Sequence, residues 1–258
     1  MLSKNQISQL KSLHQKKFRN EENSFIAEGI KVVNELLNSD FKVKQVYGTE
    51  EYFEKLPAIL KNKIRAEFQL ITEMELERIS AMTSPNEVLA VAEIKTSETL
   101  PDALDKQLSF YLDGMRDPGN LGTILRIADW FGIQNVICSD DSVDCYNPKV
   151  VQASMGSLFR VNVTYTAPEN FLSHIHSFSD LPVYGTLMEG ENLFEKQLSG
   201  NGIIILGNES MGIRPGLLSV INRRITIPRF STADRVQPDS LNVSVAAAIV
   251  AAEFRRHQ

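Results

Sequence analysis

Cysteine is scarce in this chain. The 258 residues hold only Cys138 and Cys145, too few for a disulfide framework, so reduced thiols in a cytoplasmic protein are expected. Long apolar runs are missing as well. The longest, residues 245–252, is far short of the roughly 20 residues that a membrane-spanning helix needs. The chain opens on polar Ser3, Lys4, Asn5 and Gln6 and lacks an apolar signal region, so secretion is not expected. Histidine is limited to His14, His174, His176 and His257. His174 and His176 stand two apart in a helix-like stretch and point to different faces. With the two cysteines they form no zinc spacing, and no metal is expected. There is no Gly-x-x-x-x-Gly-Lys-Ser/Thr phosphate loop and no Gly-x-Ser-x-Gly elbow, which excludes the P-loop and the serine-hydrolase nucleophile turn.

What is present is ordinary globular composition, 43% hydrophobic and 23% charged, which excludes disordered, collagenous and low-complexity architectures. A formal charge of −5, averaged over the chain, argues against a nucleic-acid partner. The average conceals an uneven distribution. Residues 1–20 carry Lys4, Lys11, Lys16, Lys17 and Arg19 and no acid, whereas residues 21–105 hold 9 bases against 17 acids. Residues 106–258 are nearly balanced, with 13 bases and 15 acids. A locally basic arm can contact phosphates despite a negative total; the plainer alternative is a solvated helix face.

Ser3 and Gln6 have capping-box spacing, and Ile7, Leu10 and Leu13 follow at helical intervals, which predicts a helix to about residue 18. Strands are expected at 24–27, 42–47, 67–71 and 88–94, and helices at 30–37, 52–60 and 73–79, a compact α/β unit. Residues 96–107 are polar and contain Pro101, linker composition between a domain at 1–95 and another at 108–258. The second part predicts strands at 108–113, 135–139, 160–164, 183–187, 202–206 and 224–227. Helices are predicted at 121–131, 148–153, 168–178, 215–221 and 241–256. Such alternation implies a mostly parallel sheet with helices on both faces. The run Ile203 to Leu206 suits a central strand. The last helix is apolar almost all round, which suits a core or a subunit interface.

Three clusters carry polar residues at element ends. In the first, Asp117-Pro118-Gly119-Asn120-Leu121-Gly122 leads into Arg126. Pro118-Gly119 has type II turn chemistry, Asn120 is expected at the helix N-cap, and Arg126 could simply pair with Asp129. In the second, Gly207-Asn208-Glu209-Ser210-Met211-Gly212 follows Leu206. Its glycine spacing is that of a dinucleotide fingerprint with the middle glycine replaced by Glu209. A carboxylate there would repel a pyrophosphate, so a cationic ligand or a hydroxyl and amine suit it better. In the third, Ile227-Pro228-Arg229 precedes Ser240-Leu241-Asn242-Val243-Ser244. Ser240 is expected to cap the last helix, in which Asn242 and Ser244 need polar partners.

In this order the clusters resemble the three motifs of the SpoU (TrmH-like) RNA ribose 2′-O-methyltransferases of the SPOUT superfamily. Residues 153–160 also look like that family. Lys16-Lys17-Phe18-Arg19 followed by Phe25-Ile26-Ala27-Glu28-Gly29 resembles its ribosomal-protein-like, amino-terminal substrate-binding domain. One departure is the longer loop 229–239, carrying Arg229, Asp234 and Arg235. The resemblance implies a trefoil-knotted second domain and a homodimer. It implies S-adenosylmethionine bound near Leu206, Gly207, Asn208, Gly212, Ile227, Leu241 and Val243. It gives Arg126 the central catalytic part, with Asn120, Glu209, Ser240 and Asn242 orienting it and the ribose. RNA contacts are expected from Lys11, Lys16, Lys17, Arg19 and Arg116. Ribosomal RNA is the expected substrate; transfer RNA, or a non-catalytic RNA-binding or ribosome-assembly role on the same fold, are the alternatives.

Overall fold

The computed structural model describes residues 1–82, 84–95, 100, 104–230 and 240–256. Most of the expected linker, the loop residues Asp234 and Arg235, and His257 lie outside the described residues. The chain forms two compact units. One comprises Met1–Lys95 with Asp144–Arg160, the other Thr96–Val143 with Val161–Gln258. Residues 144–160, assigned to the second domain on sequence, thus pack with the first unit.

The first unit opens with α1 (Lys4–Ser12) and α2 (Lys16–Glu22). Ser3 and Gln6 form the reciprocal capping box at the start of α1. The single helix expected to residue 18 is broken at Leu13, whose backbone closes α1. There follow β1 (Ser24–Glu28), α3 (Ile30–Asn38), β2 (Val43–Gly48), α4 (Glu50–Lys55), α5 (Ala58–Lys63), β3 (Phe68–Leu70), α6 (Glu73–Ile79) and β4 (Val88–Glu93). The helix expected over 52–60 becomes α4 and α5 because Pro57 interrupts it; proline lacks the N–H that a continuing helix needs. The strands pair in the order β1-β4-β2-β3. Helix α3 buries Val32, Val33, Leu36 and Leu37, the apolar face that its spacing predicts.

Arg19 corrects an expectation. It is only 1% exposed, so it is no phosphate contact. Its Nε and Nη2 donate to Asp144 Oδ2 at 3.1 and 2.6 Å, and Nη1 donates to the carbonyls of Leu13 and His14 at 3.0 Å each. Four of its five N–H groups are thus given to protein, and the buried guanidinium is not presented to RNA. Lys11, Lys16 and Lys17 are exposed; Lys17 makes a 3.8 Å surface pair with Glu21, and its Nζ lies 5.7 Å from the centroid of the Phe18 ring.

The second unit is a six-stranded sheet. In chain order come β5 (Leu108–Leu112), α7 (Pro118–Trp130), β6 (Asn135–Ser139), α8 (Pro148–Ser154, which belongs to the first unit), β7 (Asn162–Thr166), α9 (Pro168–Ile175), β8 (Val183–Asn192), β9 (Gly202–Leu206), β10 (Arg223–Thr226) and α10 (Val243–Arg255). The segment Pro215–Ser219 forms a 3-10 turn where an α-helix was expected. Strand order is β10-β8-β9-β5-β6-β7, and every pairing is parallel. All residues of β5, β6 and β9 are buried, as expected for strands covered on both faces. Tyr111, Ile203 and Ile205 meet Phe171 of α9 in one cluster, each such side chain worth roughly 1.5–3 kcal/mol of burial. Burial also pushes the Cys138 thiol up to about 12, which keeps it protonated and inert.

From β5 the chain moves to β6 on one side, whereas from β9 it continues to β10 on the other. The carboxyl ends of β5 and β9 therefore form a topological switch point, the place where open α/β sheets bind ligands.

Replacing Arg19 by alanine removes one partner of a buried ion pair. A loss of about 3 kcal/mol, the lower end of the range for such pairs, is expected, because the Asp144 carboxylate, 14% exposed, keeps its charge without its cation. Urea unfolding should read this directly, and Lys17→Ala should unfold like the wild type.

Candidate active site

Asp117, not Asn120, is the N-cap of α7. Its Oδ1 accepts from the backbone N–H of Asn120 at 2.7 Å, and Pro118 and Gly119 are helical rather than a type II turn. Proline is favoured at the first helical position, where its missing N–H costs nothing. This leaves the Asn120 side chain free for other partners. Its Nδ2 donates to Glu209 Oε1 at 2.5 Å, and its Oδ1 accepts from Asn242 Nδ2 at 3.0 Å.

Asn242 likewise takes the capping place expected of Ser240. Its Oδ1 accepts from the backbone N–H of Ser244 at 2.9 Å and of Val245 at 3.4 Å. The buried Ser244 hydroxyl donates to the same oxygen at 2.6 Å, which satisfies the polar group predicted to need a partner. One amide chain, Glu209–Asn120–Asn242, therefore links the loop after β9, the start of α7 and the start of α10. Arg126 lies six residues beyond Asn120 on α7, exposed, and its guanidinium makes no hydrogen bond or ion pair among the described residues. The expected pairing with Asp129 does not form.

The loop after β9 is a tight turn. Asn208 and Gly212 exchange two backbone hydrogen bonds, each 2.9 Å, and Asn208 Oδ1 accepts from the N–H groups of Ser210 and Met211. Gly212 has φ +67°, a conformation glycine adopts without strain. Gly207 is required for a different reason: a Cβ there would lie 2.5 Å from Ile213 N.

A cleft of about 980 Å³ opens beside this turn, at the upper end of the range for small-molecule sites. Leu206, Gly207, Asn208, Gly212, Ile227, Leu241 and Val243 all line it, as do Glu209 and Ser240. Ser240 is exposed and takes no part in the amide chain. Sequence reasoning missed the wall formed by Thr186, Leu187 and Met188 of β8, and also Phe230. β8 reads as a plain strand, and its wall arises from a register jump: Arg224 pairs Gly185, but Ile225 pairs Glu191. Arg116 is exposed on the β5–α7 connection. Among the described residues no group of three His, Cys, Asp and Glu is placed to hold a metal.

The model of the SpoU rRNA methylase family matches residues 107–252, more than half of the chain. The chain belongs to this family. The matched span runs from β5 into α10 and contains the whole cleft and the amide chain. The model of an MRM3-like substrate-binding domain matches residues 4–90. Among relatives of this SpoU-family chain is the 23S rRNA (guanosine(2553)-2′-O)-methyltransferase RlmP of Bacillus subtilis. It is 31% identical over 255 residues, covering 98% of this chain and 97% of the relative. A TrmH-family protein of Porphyromonas gingivalis has the same fold at TM-score 0.85 and 38% identity, over 100% of both chains. An AdoMet-bound rRNA methyltransferase of Sinorhizobium meliloti matches at TM-score 0.85 and 28% identity, over 100% of this chain and 96% of the other.

Gly207→Ala should displace the turn that forms one wall of the cleft. S-adenosylmethionine affinity is expected to fall by at least about tenfold, or about 1.4 kcal/mol. Calorimetric titration of the folded variant measures it.

Proposed function

We propose that this protein transfers a methyl group from S-adenosylmethionine to a ribose 2′-OH of ribosomal RNA. The observation that carries the reading is the amide chain Glu209–Asn120–Asn242 beside the cleft that the 207–213 turn lines, within a chain of the SpoU rRNA methylase family. The cleft suits the cofactor. Its lining is mainly apolar, its turn closes so tightly at Gly207 that backbone rather than side chain meets the ligand, and Glu209 brings a carboxylate where a pyrophosphate would be repelled. When bound, S-adenosylmethionine supplies an activated methyl carbon on a cationic sulfonium. Leu206, Gly207, Asn208, Gly212, Ile227, Leu241 and Val243 would hold it.

The protein must then orient a weak nucleophile and stabilise the alkoxide charge that develops on it. Arg126 supplies a guanidinium with five N–H donors in a planar fork. Among the described residues it has no hydrogen-bond or ion-pair partner, which suits donation to the adjacent phosphate and the developing oxyanion. Asn120, held between Glu209 and Asn242, fixes the start of the helix that carries Arg126. Ser240 and Asn242 present polar groups at the neighbouring rim. Lys11, Lys16, Lys17 and Arg116, all exposed, serve as phosphate contacts.

The same reading includes a trefoil knot in the second unit, a substrate-binding role for the first unit and a methyltransferase role for the second, a cytoplasmic location and a homodimer. For the dimer, α7 and α10 pack together and still expose Trp130 (85%) and Val245 (47%), apolar surface suited to a second copy.

Radiolabelled methyl transfer to bulk RNA, with 2′-O-methyl mapping in cells with and without the protein, tests the function. Label in ribosomal RNA and loss of one mapped site support it. Label in transfer RNA alone, or no transfer, selects the other readings. Arg126→Ala should lower turnover at least about a hundredfold with cofactor affinity unchanged. Lys16→Glu with Lys17→Glu should weaken RNA binding and reduce its salt slope by about one per lysine, measured by RNA titration across ionic strengths.

A further inference from the structure

Beside the cleft, and not lining it, lies a cluster of charge to which nothing so far assigns a role. Asp113, at the carboxyl end of β5, is a buried carboxylate with 2% side-chain exposure. Its Oδ2 accepts from the backbone N–H of Arg214 at 2.7 Å, and its Oδ1 from Arg214 Nε. The same guanidinium reaches on through Nη2 to both oxygens of Asp141, at 3.0 and 3.2 Å. Asp141 is held in turn by the Ser139 hydroxyl at 2.6 Å, and that hydroxyl accepts from the backbone N–H of Gly114 at 2.7 Å. The hydrogen bond from Ser139, and then the Arg214 guanidinium, keep the Asp141 carboxyl below its ordinary value.

These contacts have one geometric result. The turn at 207–213 is clamped at both ends to the same short segment. Asn208 Nδ2 donates to the Gly114 carbonyl at 2.6 Å, and Arg214 grips Asp113. That segment runs on into α7 and Asn120, which in turn holds Glu209 at the tip of the turn. The Arg214 clamp is the charged member of this set, and it reaches β5 and β6 together. A planar guanidinium forking between two carboxylates fixes direction as well as distance.

We infer that Arg214, through Asp113 and Asp141, is a positioning residue that sets the cofactor-side turn against Asn120 and the helix bearing Arg126. It touches neither cleft nor ribose and acts through the turn. This rests on the methyltransferase reading above. Lysine keeps the charge of Arg214 but loses the fork, so Arg214→Lys separates placement from charge. Asp141→Asn weakens one arm and leaves the buried pair with Asp113 in place.

The experiment uses the full chain. It combines calorimetric binding of S-adenosylmethionine, turnover on ribosomal RNA at saturating cofactor, RNA affinity and thermal melting. For Arg214→Lys, cofactor Kd should rise about tenfold and kcat fall about tenfold, with RNA affinity unchanged. Asp141→Asn should shift both in the same direction by a smaller factor. Variants that melt lower but bind and turn over like the wild type, per folded molecule, would overturn the assignment and leave Arg214 a purely structural residue. A wild-type protein that binds the cofactor but methylates no RNA sinks the methyltransferase reading instead. Unchanged cofactor Kd in Arg214→Lys would still count against the positioning role.

Discussion

Because all six strands of the second sheet run parallel, their carboxyl ends emerge along one edge, and each segment leaving them must turn there. The polar clusters, far apart in sequence, converge for this reason. The segment after β5 carries Asp113 to Asn120, the segment after β9 carries residues 207–214, and the chain after β10 carries Ile227 to Phe230. The cleft itself lies between the turn after β9, the chain after β10, the outer part of β8 and the start of α10. A crevice is left by topology before any side chain is chosen.

Side chains then decide how stiff that crevice is. The Asn120 amide joins three segments of its rim, giving one atom to the Glu209 carboxylate and the other to the Asn242 amide. Charged groups connect it to the sheet, with Arg214 forked between Asp113 and Asp141. The division has a physical sense. Amides at a rim open to solvent cost little to desolvate when a ligand arrives. A carboxylate as buried as Asp113 needs a permanent cation.

The strands were readable because their signal is local. Ile203 to Leu206 is a buried run whatever surrounds it, and α10 announces itself by its apolar residues. The cleft residues from the second and third clusters were readable because glycines and prolines punctuate them. What escaped depends on partners distant in sequence. Asp117 and Asn120 both have N-cap chemistry, and only the folded chain shows which side chain caps and which crosses to Glu209. Ser240 and Asn242 present the same ambiguity. The β8 wall is a property of pairing register, to which a strand's own residues give no clue. Arg19 looks like its basic neighbours until Asp144, 125 residues away, comes to meet it.

That last pair bears on how the chain is made. Residues 144–160 are compact with the first unit, yet they are synthesised after two strands of the second. The amino-terminal unit therefore cannot be finished when residue 95 leaves the ribosome. Its buried guanidinium waits, hydrated and unpaired, until some fifty further residues have emerged. During synthesis, strands β5 and β6 must stay out of the way of a unit still lacking its last helix. Folding of the two units is interleaved in time, and neither can be cut from the other at a single point in the chain.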